Sequence, residues 1–107
     1  MTPPLQELAA LNRVVHEPAR LLIMTILHAV PEADFIYLQR ESGLTQGNLS
    51  SHLSRLEGAG YVLVEKTFKG KYPLTICSLT RRGCEAFEQY ARTMRIVSGA
   101  IKEMRRS

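Results

Sequence analysis

The residues best suited to chemistry lie between Thr45 and Gly58. Leu49, Leu53 and Leu56, spaced by four and three, mark one side of a helix there as core. At 100° per residue this turns Gly47, Asn48, Ser51, Ser54 and Arg55 outward, with Ser50 and His52 on the flanks. Ordinary solvated helices favour Glu, Lys, Arg and Gln, so a face of amides and hydroxyls with so little charge calls for another explanation. It suits a partner lined with donors and acceptors, as the major groove of duplex DNA is. Asn48 can pair bidentately with adenine, Arg55 with guanine or a phosphate, and the serines with either kind of group. Gly47 allows close backbone approach, and the free amides around Thr45, Gln46 and Gly47 can hold a phosphate beside the groove.

A second basic feature follows. Lys66, Lys69 and Lys71 surround the turn glycine Gly70. Alone, such a loop is a solubilising turn. Beside a polar helix it can track the phosphate backbone or enter the minor groove.

Other chemistries lack a starting point. No Ser-His-Asp order, glycine-rich phosphate loop or carboxylate pair in an apolar setting is present, so neither an enzyme nor a cofactor is expected. His16, His28 and His52 are dispersed without metal-ligand spacing and without a cysteine to join them. The sequence therefore predicts no metal, and each histidine reads as a surface or capping residue. Cys77 and Cys84 leave two readings. Cys84 stands beside Arg81 and Arg82, where a thiolate is favoured and a redox switch can operate; alternatively both cysteines are small apolar core residues.

The elements that must position the polar face can be read outward from it. Gly43-Leu44-Thr45 is a tight turn, with Gly43 just past one helix and Thr45 capping the next. Asp34-Phe35-Ile36 is either a brief strand or the start of the preceding helix, which carries Tyr37 and Leu38. Further back, Pro18 opens a helix with Leu22, Ile23, Ile26, Leu27 and Val30 as its apolar face, stopped by Pro31. Thr2 caps a first helix over 1–16, with Leu5, Leu8, Leu11 and Val15 at helical spacing. Downstream, Val62 to Phe68 and Leu74 to Leu79 form a two-stranded hairpin. Phe87, Tyr90, Met94, Val97, Ile101 and Met104 then mark a heptad seam on a helix over 81–107.

The fold class is thus α+β and mainly α, a helix-turn-helix with a β-hairpin and a long C-terminal helix. With 107 residues and 45% hydrophobic composition the chain suits a single domain over 1–107. No apolar run approaches the roughly 20 residues a membrane span requires. The opening Met1-Thr2-Pro3-Pro4-Leu5 has no secretory pattern, so a cytoplasmic location is expected. The net charge is +4, divided as −2 over residues 1–61 and +6 over 62–107, so the basic half follows the helix-turn-helix.

Three stretches, Glu17-Pro18-Ala19-Arg20-Leu21, Leu44 through Glu57, and Gly60-Tyr61-Val62, resemble the winged-helix regulators of the MarR and ArsR type. The likeness spans about Leu11 to Phe87, with turn, recognition helix, glycine exit and wing in order. It implies a dimeric, operator-binding protein, often a repressor. It also places base-reading positions on Gln46, Gly47, Asn48, Ser51 and His52, with Arg55 toward the backbone and Lys69 and Lys71 at the wing tip. The paired-cysteine metal motif of many ArsR-type proteins is missing.

A seam that continues past its own domain leaves apolar surface unpaired. The expected interface is a homodimer through Leu5, Leu8 and the seam residues of the last helix. Two recognition helices would then address a pseudo-palindromic operator. A pocket lined by Phe87 and Tyr90 is a place for a small-molecule effector, although these aromatics also suit plain packing. Two other functions compete with double-stranded DNA binding. A winged-helix protein-interaction module would show no steep salt dependence, and a double-stranded RNA binder would use the basic loop and ignore Asn48.

Overall fold

The computed structural model describes residues 6–106. Helix α1, Pro18–Ala29, begins where the Glu17 carboxylate accepts the amides of Ala19 and Arg20 at 3.2 and 2.8 Å. Proline at its first position loses no intrahelical hydrogen bond. Its core face is Ile23, Met24 and Leu27. Leu22, expected on that face, is exposed, and Met24 is buried in its stead.

Asp34 serves both roles proposed for its segment. It ends strand β1, Ala33–Asp34, and its Oδ1 accepts the Tyr37 amide at 2.7 Å to cap α2, Phe35–Ser42. Leu38 of α2 is fully buried. Gly43 follows at φ +70°, the left-handed position where glycine avoids a Cβ penalty. Thr45 then caps α3, Gln46–Gly58, by accepting the Asn48 amide at 3.2 Å.

Strands β2, Val62–Lys69, and β3, Tyr72–Leu79, pair antiparallel across Gly70 and Lys71. Gly70 has φ +63°, as the first central residue of a type II′ hairpin requires. The sheet has three strands rather than two, in the order β1-β3-β2, because Ala33 and Asp34 pair with Cys77 and Ile76. Pro73 lies beyond that pairing, where β3 has one neighbour only.

Of the N-terminal helix expected over 1–16, Thr2, Pro3, Pro4 and Leu5 lie outside the described residues. Gln6 is helical and Glu7–Ala10 form a 3-10 turn, so in the described part helix ends at Ala10 and not at 16. The chain turns extended at Leu11. Asn12 then accepts the amides of Val14 and Val15 at 3.0 and 3.2 Å, a side-chain turn that competes with helix. Val15 therefore reaches the core from a turn.

The core joins Val15, the buried faces of α1 and α3, Leu38, Val62 and Cys77. Helix α4, Arg81–Arg106, is capped by Thr80, whose Oγ1 accepts the Gly83 amide at 2.9 Å. It extends about 39 Å at 1.5 Å per residue, and the chain measures 62 × 24 × 21 Å. A radius of gyration of 16.3 Å exceeds the roughly 13 Å of a compact domain this size. The seam accordingly changes character along its length. Tyr90 and Val97 are buried within one chain and Phe87 and Met94 half-buried, whereas Ile101 and Met104 are 54% and 56% exposed, as is Ile96 at 52%.

Candidate nucleic-acid interface

Leu49, Leu53 and Leu56 of α3 are all buried against the domain. Their anchoring leaves Gln46, Gly47, Asn48, Ser50, Ser51, Ser54 and Arg55 exposed, together with the cap Thr45. A Cβ on Gly47 would meet nothing within 4 Å, so the domain's own packing does not require glycine there. Leu44 is half-buried in the turn between α2 and α3 and packs on the core.

His52 differs from its neighbours. Its Nδ1 lies 3.3 Å from Arg20 Nη1 and 3.6 Å from Glu17 Oε2, so the half-buried ring is turned toward the start of α1. Arg20 Nε also donates to the Val14 carbonyl at 2.7 Å. Burial pushes the Glu17 carboxyl upward, but the amides of Arg20 and Ala19 and the charges of His52 and Arg20 outweigh it and hold it below its ordinary value. The cluster ties the middle of α3 to α1. In this arrangement the His52 ring faces the start of α1.

Lys66, Lys69 and Lys71 are exposed on the hairpin. Lys66 lines a groove of about 370 Å³ between α3 and the hairpin, whose walls include Gln46, Ser50, Ser54 and Thr75. Helix and hairpin therefore share one concave surface, with Lys69 and Lys71 beyond it at the tip. Sequence reasoning passed over the tip's aromatic residues. Phe68 and Tyr72 are 70% and 78% exposed, and their only sequence signal was an apolar residue flanking each side of a lysine turn.

The surroundings of the two cysteines bear on the two readings left open for them. Burial, then the nearby Glu57 and Asp34 charges, pushes the Cys77 thiol up to about 11. Burial also raises Cys84, followed by the charge of Glu88, a hydrogen bond with it, and Glu85. The neighbouring arginines do not offset this: Arg81 pairs with Glu85 at 3.4 Å, and Arg82 lies over the Tyr61 ring. These surroundings disfavour a thiolate at Cys84. Cys84 is not remote from every histidine, because the fold brings it beside His28 and Glu88. The cavity expected beside α4 holds about 220 Å³ and is lined by Tyr90, Leu11 and Asn12 but not by Phe87, whose ring packs on His28 instead. That is less than the roughly 300 Å³ at which ligand pockets begin.

Among the described residues no helix is long and apolar enough to cross a membrane. A family model described as a winged helix DNA-binding domain matches residues 19–97. An uncharacterized protein of Methanocaldococcus jannaschii is 34% identical over 79 residues, 73% of this chain and 85% of its own length. A transcriptional regulator homologue from Pyrococcus horikoshii OT3 superposes with a TM-score of 0.85 at 29% identity, over 94% of this chain and 98% of that one. A protein assigned to the MarR family of transcriptional regulators from Enterococcus faecalis V583 gives 0.76 at 18% identity, over 100% and 96% of the two chains, a likeness of fold. With its buried leucine stripe, its wing and these matches, the chain belongs to the winged helix DNA-binding domain family and has the fold of MarR-type transcriptional regulators.

Proposed function

We propose that the protein is a homodimeric transcriptional regulator, a repressor, that binds a pseudo-palindromic site in double-stranded DNA with α3 in the major groove and the wing on the backbone or in the minor groove. The observation that carries this reading is the exposed amide and hydroxyl face of α3, held outward by three buried leucines. Asn48 and Ser51 read base edges, with Gln46 and Gly47 close by. Thr45, Ser54 and Arg55 hold the flanking backbone, and Lys66, Lys69 and Lys71 neutralise phosphates.

The whole chain acts as one domain whose ends form the dimer. Tyr90 and Val97 have little surface left to give a partner, so the contact rests on Leu8, Ile96, Ile101 and Met104 with the half-buried Phe87 and Met94. The two recognition helices then address half-sites about 34–36 Å apart.

Selection of bound fragments from random duplex DNA tests binding, spacing and symmetry together. On the selected site Asn48→Ala should lose about 1–3 kcal/mol of binding while random duplex is little affected; Lys71→Ala should weaken both and lower the salt slope by about one. Equal losses from Asn48→Ala on both duplexes overturn the base contact. Preference for double-stranded RNA, or salt-independent binding, overturns the reading itself.

A further inference from the structure

Where α1 ends and α4 begins, three side chains able to ligate metals converge. His28 stands in the last turn of α1, and Cys84 and Glu88 lie one turn apart on α4. Their donor atoms all fall within 4.8 Å of one another. His28 Nε2 is 3.3 Å from Glu88 Oε2.

A tetrahedral ion with bonds of about 2.1 Å to nitrogen and oxygen sets those two donors about 3.4 Å apart, and a thiolate sulfur about 3.6 Å from each. The His28–Glu88 edge already has ligating length, and the Cys84 sulfur closes the triangle with a side-chain adjustment of about an ångström. An exposed histidine–carboxylate pair contributes little by itself and gives no reason for a thiol at the same point. Two further features favour a ligand. A cavity of about 430 Å³ opens against the cluster, lined by His28 and Cys84 with Leu27, Val30, Leu79 and Thr80, which leaves room for a fourth donor. The imidazole is also held on the Phe87 ring at 4.9 Å between centroids, so less freedom is lost on ligation. Arg81, the cation at the cavity wall, lies against Glu85.

We propose that His28, Cys84 and Glu88 form a site for a divalent ion of the zinc class, with a fourth position open to the adjoining cavity. One thiolate, one imidazole and one carboxylate select borderline ions over magnesium or calcium. The ion fastens the end of α1 to the start of α4. No part of this depends on DNA binding.

Titration of the metal-free full chain with cobalt(II) tests the site. One ion per chain should bind with a thiolate-to-cobalt charge-transfer band that zinc(II) abolishes by displacement and magnesium(II) does not. Cys84→Ser should remove the band. His28→Gln and Glu88→Gln should each weaken binding at least about tenfold, since even changes to groups behind the ligands have that effect. All three side chains are at least partly exposed, so the variants should fold, which thermal melting checks. Absence of the band, its survival in Cys84→Ser, unchanged affinity in the other two variants, or displacement by magnesium overturns the proposal.

Discussion

Replacing Gly83 by alanine tests the joint between the exit of α3 and the start of α4. A Cβ at this position would overlap the Tyr61 carbonyl oxygen, with the Tyr61 carbonyl carbon and Cα only 2.8 and 2.9 Å away. Those are backbone atoms that no rotamer change can move. The helix must shift, at a cost typical of overpacking, about 1–3 kcal/mol. The shift also stretches the Thr80 amide's bond to the Tyr61 carbonyl, 3.0 Å, and the Thr80 hydroxyl's bond to the Gly60 carbonyl, 2.6 Å, each worth about 0.5–1.5 kcal/mol. Alanine recovers about 1 kcal/mol of helix propensity. The net loss is about 2–3 kcal/mol, a fall in Tm of about 8–20 °C.

Thermal melting at one fixed protein concentration reads the effect, since association makes Tm depend on concentration. Gly99→Ala supplies the control on the same helix. Its Cβ meets nothing within 4 Å, so only propensity changes and Tm should rise by a few degrees. A Gly83→Ala variant as stable as the parent, or a Gly99→Ala variant equally destabilised, would refute the close approach at Tyr61.

Glu17→Gln should cost about 1 kcal/mol at neutral pH through loss of the charge and of one of the two accepting oxygens of the cap. Because the folded carboxyl sits below its ordinary 4.5, its stabilisation is complete above that value and is lost as pH falls, so parent and variant should converge in acid melts. A pH-independent gap would contradict the assignment. At neutral pH a thiol-alkylating reagent should modify Cys77 in the folded chain hardly at all and Cys84 more slowly than in denaturant, as mass spectrometry can follow; a fast native reaction at Cys84 would restore the activated thiolate. On the proposed dimer, Ile101→Glu should shift the chain toward monomer in sedimentation while leaving its circular dichroism unchanged, and an unaltered sedimentation profile would remove Ile101 from the proposed contact.

What the sequence made legible is what neighbouring residues decide. Thr45, Gly43 and the leucine spacing of α3 act within a turn or two, and the Gly70 hairpin is equally local. What stayed hidden depends on partners far along the chain. Strand β1 is two residues long, too short for any periodicity, and exists because β3 offers Cys77 and Ile76. The leucine spacing from Leu5 to Val15 suggested a continuous helix, but Asn12 spends its side chain on the following amides and on the Tyr61 hydroxyl, 2.6 Å away. His52 sits on the flank of the polar face by geometry, yet Glu17 and Arg20 draw it back. For Cys84, sequence neighbours misled. The arginines beside it engage Glu85 and Tyr61, while Glu88, one turn on, faces the sulfur.

The joint at Thr80 also bears on how a dimer could keep its operator spacing. Helix α4 leaves the domain from residues bonded directly to Gly60 and Tyr61, the exit of α3. On the proposed dimer the distance between recognition helices is therefore set by an arm of about 39 Å pivoting on that joint. A 5° tilt would displace the far end by about 3 Å, close to the 3.4 Å rise of one base step. Discrimination between spacings that differ by one base pair thus requires the pivot to be stiff to within a few degrees. A buried glycine pressed on a carbonyl and a threonine that both caps the helix and donates to the preceding segment are features that provide such stiffness.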